Sequence, residues 1–263
     1  MIGVRAGIVS GVRPGLAAGL VADPISAGNA IVFGNFTTQD VASGKFFPAS
    51  SAEYTAANFA APASIWLCQE PSGNAADSVG ANTLTAAGTP AYNQAVAGYT
   101  RTGFGMTDGT ASQGFSATTV PDASTTSLLM LAVVAIVSTT TTRSIFGFAT
   151  TADDCEITAS PRIRHLEAAT GTNGTVNPIG VRFCVLKRDR TNSASLLYTD
   201  QEKIVGTFAG TTTGAKVAIG AKATLPCTFT CMYAALWTGV NAEMPDSTVK
   251  TLLQRMGNTI SWS

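Results

Sequence analysis

Hydrophobic positions along this chain fall into short runs separated by clusters of glycine, asparagine, aspartate, proline and threonine. From residue 64 onward the runs predict strands near 65–69, 114–117, 128–138, 143–149, 157–158, 180–190, 195–199, 203–208, 216–219 and 228–237. Strands at this spacing with no helix between them predict an all-β sandwich of antiparallel sheets. The longest apolar run, Leu128 to Val137, is about half of the roughly 20 residues needed to cross a bilayer as a helix. It reads as a buried strand. Helical period occurs once with conviction: Val249, Leu252, Leu253 and Met256 follow Pro245-Asp246-Ser247 and precede Gly257, which predicts a helix over 246–256. Its apolar stripe is expected to cover an edge or end of the sandwich.

The first 27 residues follow a different rule. Glycine recurs every fourth position at Gly3, Gly7, Gly11, Gly15 and Gly19, interleaved with Val4, Ile8, Val12, Leu16 and Leu20. Each glycine weakens a helix by about 1 kcal/mol relative to alanine, and Arg5, Arg13 and Pro14 oppose a GxxxG membrane pairing. The same glycines and arginines break up any apolar core of a signal peptide over 1–26, so export by that route is not expected. Apolar side chains with nothing to pack on locally predict an extended arm that docks on a partner through Val4, Arg5, Ile8, Val12, Arg13, Leu16 and Leu20. The expected organisation is an arm over 1–27, a connecting segment over 28–59 and the sandwich over 60–263. The connecting segment is mixed, with a short strand at Ile31-Val32-Phe33 and a turn at Phe46-Phe47-Pro48.

Composition narrows the partners. Charged residues make up 12% of the 263, sixteen basic against sixteen acidic, about half the share usual in soluble domains. With 37 threonines and 26 glycines, the balance favours strands and turns over helical bundles. A net charge of zero supplies no basic stripe for phosphates, so nucleic acid is excluded as a partner. Five scattered cysteines, Cys68, Cys155, Cys184, Cys227 and Cys231, form no CxxC pair, and one histidine does not complete a zinc set. Cys227 and Cys231, four apart on a strand, lie roughly 13 Å apart, too far for a disulfide. Buried free thiols in a reducing compartment are expected.

Catalytic signatures are weak. Retaining glycan hydrolases on sandwiches need carboxylates roughly 5–5.5 Å apart, but no Glu-x-Asp-x-Glu strand occurs. The acidic clusters Asp153-Asp154-Cys155-Glu156 and Asp200-Gln201-Glu202 read as solvated turns. His165, the one histidine, has Arg162, Arg164 and Glu167 around it, a polar strand face, and no Gly-x-Ser-x-Gly elbow accompanies it. Gly171-Thr172-Asn173-Gly174 reads as an ordinary turn and not a phosphate loop. Asp77 and Asp108 stand in loops whose oxygens would suit calcium, but no dense carboxylate cluster joins them. No catalytic residue, metal site or cofactor is therefore expected. Lys187-Arg188-Asp189-Arg190 reads as a solvated hairpin tip.

Several motifs resemble laminin-G-like, concanavalin A-like domains. Trp66-Leu67, Pro71-Ser72-Gly73 and Ala76-Asp77-Ser78-Val79-Gly80-Ala81-Asn82 with Leu84 are similar to the family's opening strand and loop. Phe104-Gly105-Met106-Thr107-Asp108-Gly109 and Gln113-Gly114-Phe115 resemble its next strand pair. Arg182-Phe183-Cys184-Val185, Leu196 to Gln201, Ala218-Ile219-Gly220 and Met232 to Trp237 resemble its central hairpins. Gln201 departs from the glycine usual after aspartate in the hairpin, which leaves that turn type open. The resemblance covers about residues 60–257 and implies a two-sheet antiparallel jelly roll, a fold that hosts lectins, glycan hydrolases, adhesive modules and virion decoration proteins. Joined to the arm, it implies a non-enzymatic structural protein of a tailed-bacteriophage particle. Such a protein would be a multi-copy or homo-oligomeric capsid decoration or tail component, assembled in the host cytoplasm, with the arm bound to other virion proteins. The competing expectation is a carbohydrate-binding adhesion module whose exposed aromatics stack on surface glycans. Tyr92, Tyr99 and Trp262 are its candidate contacts, while Trp237 is assigned to the core.

Overall fold

The computed structural model describes residues 36–107, 113–118, 120–138, 142–148, 153–167, 170–209, 216–220 and 227–263. The arm residues Val4 to Leu20, the strand expected at 31–33 and Asp108 lie outside them. In chain order the elements are α1 (Ser51–Ala56), β1 (Ser64–Trp66), β2 (Thr85–Ala87), β3 (Ala91–Ala95), β4 (Thr102–Met106), β5 (Gly114–Ala117), β6 (Leu128–Ser138) and β7 (Arg143–Phe148). There follow β8 (Asp153–Ile157), β9 (Ile163–Glu167), β10 (Thr170–Asn173), β11 (Gly180–Asp189), β12 (Ala194–Tyr198), β13 (Lys203–Val205), β14 (Val217–Ile219), β15 (Thr228–Thr238) and α2 (Asp246–Arg255).

Two antiparallel sheets face each other. The first runs β13-β12-β11-β6-β15-β4-β3, with β1 also paired to β15; the second runs β10-β9-β8-β7-β14-β5-β2. The all-β sandwich expected from the strand spacing is the observed architecture. Side chains alternate across a strand, and at the centre of the first sheet both faces are covered. Leu128, Met130, Ala132, Val134 and Ile136 of β6 point into the space between the sheets. Leu129, Leu131 and Val133 point the other way, into a second core. Two buried faces explain why β6 reads as an unbroken apolar run.

That second core is closed by residues 36–60 and by α2. Phe36, Phe47, Tyr54 and Phe59 pack with Val249, Leu252, Leu253 and Met256 against Phe183, Val185, Tyr198, Tyr233 and Trp237 of the first sheet. The stripe of α2 thus covers an outer sheet face, not an edge or end of the sandwich. The sheet presents a continuous apolar surface there that one helix stripe and the aromatic segment together remove from water. Polar groups fix the layer: Tyr54 Oη contacts Tyr233 Oη at 2.7 Å, and the Trp237 indole N–H donates to Ala60 O at 2.7 Å. The short helix α1 carries a capping pair, Ser50 accepting from the Glu53 N–H and Glu53 accepting from the Ala49 N–H, a pattern of Ser-x-x-Glu type.

Several strands escape the hydrophobic pattern. β3 is mostly exposed and β2 only half-buried, β4 has glycine at two of its five positions, and β8, β9 and β10 carry acids, His165 or a Thr-Gly-Thr-Asn run. Gly103 is required where β4 meets β15, since a Cβ there would lie 2.3 Å from Cys231 O. In β15 a bulge between Cys231 and Tyr233 sends both Met232 and Tyr233 outward. Cys227, Phe229 and Cys231 before it, and Ala234 and Leu236 after it, face the space between the sheets. All five cysteines are buried free thiols.

Candidate functional site

The sandwich is open where the two sheets end. β10 is the last strand of one sheet and β13 the last strand of the other. Beside them the C-terminal segment returns across the first sheet. Thr172 to Thr175, Gln201 to Val205 and Ser261 to Ser263 line a groove of roughly 620 Å³, within the size range of small-ligand sites.

Local hydrogen bonding holds the walls. The carboxylate of Glu202 reaches from the first sheet and accepts from Thr175 N at 2.7 Å, Thr175 Oγ1 at 3.1 Å and Val176 N at 3.3 Å. Gly174 leaves room for it, because a Cβ there would sit 2.2 Å from Glu202 Oε1. Thr199 Oγ1 accepts from the N–H groups of Gln201 and Glu202, both at 3.0 Å. This closes the hairpin turn with Gln201 outside the positive-φ positions, so no glycine is needed there. Lys203 donates to Asp246 at the start of α2, and Tyr198 Oη donates to the same carboxylate at 2.6 Å. Burial alone would raise Asp246; Lys203 and Tyr198 override it and hold the carboxyl below its usual range. Burial and the adjacent Asp246 raise the Tyr198 phenol.

Trp262 forms the aromatic wall. Its indole N–H donates to Thr199 O at 2.7 Å, its ring leans on Tyr198 with centroids 5.4 Å apart, and Lys250 Nζ lies 5.7 Å from the ring centroid. The ring is partly exposed and fixed in orientation. The other two aromatic candidates lie elsewhere. Tyr99 packs edge-on against Phe47, and burial with nearby Asp40 and Asp200 raises its phenol. Tyr92 donates to Gly73 O at 2.6 Å and packs edge-on against Phe104 and Phe115, on the core between the sheets. The structure therefore brings Trp262 to a groove and leaves Tyr92 and Tyr99 half-buried in separate places. The remaining groove residues come from three distant segments, one of them read from sequence as the turn Gly171 to Gly174, and no local signal joins them.

The titratable clusters singled out in the sequence are folded inward. Arg188 of the basic run is 1% exposed and meets Glu167 at 2.6 Å between the sheets, while Lys187 and Asp189 pair at 3.0 Å on the opposite face. The run is thus an interior ion-pair set, not a solvated tip, because strand alternation carries it into both cores before the turn begins. The stretch Asp153–Ile157 is likewise a strand, not a solvated turn: Asp154 and Glu156 are buried, and Glu156 meets Arg164 at 3.0 Å. His165 is buried, so the strand face it shares with Glu167 is interior. Its Nε2 contacts Ser195 Oγ at 3.0 Å, which has the look of a nucleophile and base. A hydrolytic triad needs an acid on the other ring nitrogen; here Nδ1 has no hydrogen-bond partner among the described residues and abuts Gly206, where a Cβ would lie 2.1 Å away. Glu167 is committed instead to Arg188 and to the Ala209 N–H at 2.6 Å. Burial and the facing Arg188 push the His165 imidazole down to about 4.

Asp77 has a structural use as well. Its oxygens accept from the N–H groups of Ile65, Val79, Gly80 and Asn82 at 3.0–3.1 Å, and the Trp66 indole donates to Asn82 O at 2.7 Å. A ring of N–H donors suits a carboxylate that closes a loop and opposes a cation beside it. The Asp-Ser-x-Gly-x-Asn pattern therefore clasps the loop after β1.

No family model matches the chain, and no curated protein matches it. Solved structures do share its fold. The chain is similar to Trypanosoma rangeli sialidase in complex with 2,3-difluorosialic acid (TM-score 0.57, 14% identity), covering 74% of this chain and 34% of that one. It is also similar to the binding domain of botulinum neurotoxin DC in complex with SialylT (TM-score 0.51, 7% identity; 74% and 51% covered). The same domain with rat synaptotagmin II gives 0.52 and 8%. The chain thus spans about a third of the sialidases and about half of the toxin domains. These neighbours are β-sandwich domains, consistent with the concanavalin A-like sandwich that the motifs resemble.

Proposed function

We propose that this chain is a non-catalytic carbohydrate-recognition module that binds glycans in the groove between β10, β13 and the C-terminal segment. The observation that carries the reading is Trp262, locked by Thr199 and Tyr198 beside the hydroxyl and amide side chains of Thr172, Asn173, Thr175, Gln201 and Ser261. Sugars present apolar C–H faces with hydroxyl rims, and such a wall with polar neighbours matches both. Fold neighbours seen with sialic acid and SialylT support a glycan over other small ligands. A binding role without chemistry is supported by the carboxylates: Glu156, Glu167 and Glu202 are each engaged by protein donors.

A glycan array followed by calorimetry tests the reading. The full chain is expected to bind a defined subset of glycans, and Trp262→Ala to weaken that binding at least tenfold, about 1.4 kcal/mol. Sialoside and glycan hydrolysis by the same preparation should stay at background. Absence of binding to every glycan, or unchanged affinity in the Trp262 variant, would sink the groove as the site.

The setting proposed for this module is a bacteriophage particle, with many copies displayed outward and anchored through Val4, Arg5, Ile8, Val12, Arg13, Leu16 and Leu20 to capsid or tail proteins. The regular glycine spacing of residues 3–19, foreign to the sandwich that follows, favours this anchoring.

A further inference from the structure

Two of the five thiols stand in contact. Cys68 Sγ lies 3.8 Å from Cys231 Sγ, and both side chains are wholly buried. Cys68 follows the end of β1, whose register with β15 pairs Ser64 with Leu236, Ile65 with Ala235 and Trp66 with Ala234. Carried two residues further, that register sets Cys68 beside Met232, and the bulge at this point turns Cys231 to the inner side that Cys68 shares. On that edge of β15 Cys231 is itself paired with Phe104 of β4, so Cys68 meets it sulfur to sulfur at the junction of β1 and β4. Cys68 itself has φ +57°, a left-handed conformation uncommon for a residue with a side chain, and this bend directs its sulfur back onto β15.

We infer that Cys68 and Cys231 form a latent disulfide, closed by thiol–disulfide exchange when the chain meets a small-molecule disulfide oxidant. One cysteine thiolate attacks a sulfur of the oxidant, forming a mixed disulfide and releasing one oxidant thiolate. The second cysteine thiolate then attacks the protein sulfur of that mixed disulfide and releases the other. The two cysteine thiols give up two electrons and two protons, and one oxidant disulfide becomes two thiols. Burial raises the Cys68 thiol well above its usual range, so exchange in the native state proceeds through opening of β1, a three-residue strand. Closure then ties the loop clasped by Asp77 to β15, in the middle of the first sheet.

A second group of thiols, Cys155, Cys184 and Cys227, lies together elsewhere in the core. Cys155 lies on β8 and Cys184 on β11, strands of different sheets. Their side chains touch as well, and a link between them would join the two facing sheets instead of closing the loop after β1.

The test is to incubate the reduced full chain with oxidised glutathione, then alkylate under denaturant and map peptides by mass spectrometry. A loss of 2 Da (about two hydrogens), three alkylated thiols and one linked peptide joining Cys68 to Cys231 are expected, with a rise in unfolding temperature. Cys231→Ala and Cys68→Ser should each remove the link and the rise, leaving the other four cysteines alkylated. Five alkylated thiols after oxidation, a glutathione adduct without closure, or a link through Cys155, Cys184 or Cys227 would overturn the inference.

Discussion

His165 shows how one buried side chain sets a pH window. Between the sheets it faces Ser195 from β12, Arg188 from β11, Glu167 on its own strand and Gly206 beyond β13, so a proton on the imidazole would stand beside a guanidinium. The folded protein holds the ring neutral down to about 4, whereas in the unfolded chain it takes a proton near 6.5. The unfolded state therefore binds more protons between those values. Stability is complete above the unfolded value and falls as the pH drops from 6.5 towards 4, by about 3 kcal/mol in all. Asp40, held down to about 2, and Asp77, Asp189 and Asp246, also depressed, add a further loss only at lower pH. Urea unfolding at pH 7, 5.5 and 4.5 checks this: the native chain should lose stability across that range, and His165→Asn should flatten the slope. A slope equally steep in the variant would assign the effect elsewhere.

Among the elements, β6 and α2 were legible in sequence because each obeys a single period. α2 keeps a 3.6-residue stripe, and β6 is apolar from Leu128 to Val137, with both faces covered as far as Val134. β8, β9 and β10 were hidden for the converse reason. On β9 the inward face carries His165 and Glu167 beside Ile163, polar residues that find partners only once β11 and β12 are opposite them; β8 sets inward Cys155 and Ile157 against the acids Asp154 and Glu156 over five residues, and β10 carries no apolar side chain. The double burial of β6 has a measurable consequence. Leu129→Ala and Met130→Ala sit on neighbouring residues that enter different cores, and each is expected to cost roughly 2–5 kcal/mol by denaturant unfolding. A strand with one solvated face would instead show one costly and one nearly neutral substitution.

At the scale of the whole molecule, the first sheet is the shared wall of two cores, and residues 36–60 belong to the layer that closes the outer one. If residues 1–22 serve attachment and not folding, their deletion should leave the unfolding free energy within about 1 kcal/mol of the full chain while particle incorporation is lost. Normal incorporation of the truncated chain would end the docking proposal. The same scale explains the groove. It lies where the last strands of two sheets meet a returning C-terminus, and its residues come from segments as far apart as Thr172 and Ser263, so only Trp262 could be named from the sequence, as a candidate exposed aromatic.

Local chemistry alone determined the β class, the buried strand β6 and the α2 stripe, because periodicity and turn residues act on neighbouring positions. Tertiary structure decided the rest. Whether Arg188 is solvated or paired, whether Asp77 clasps a loop, which cysteines touch and where Trp262 stands all depend on groups far apart in the chain. Burial converts such encounters into fixed ion pairs, hydrogen bonds and contacts, since a polar group taken out of water must find its partner wherever the fold supplies one.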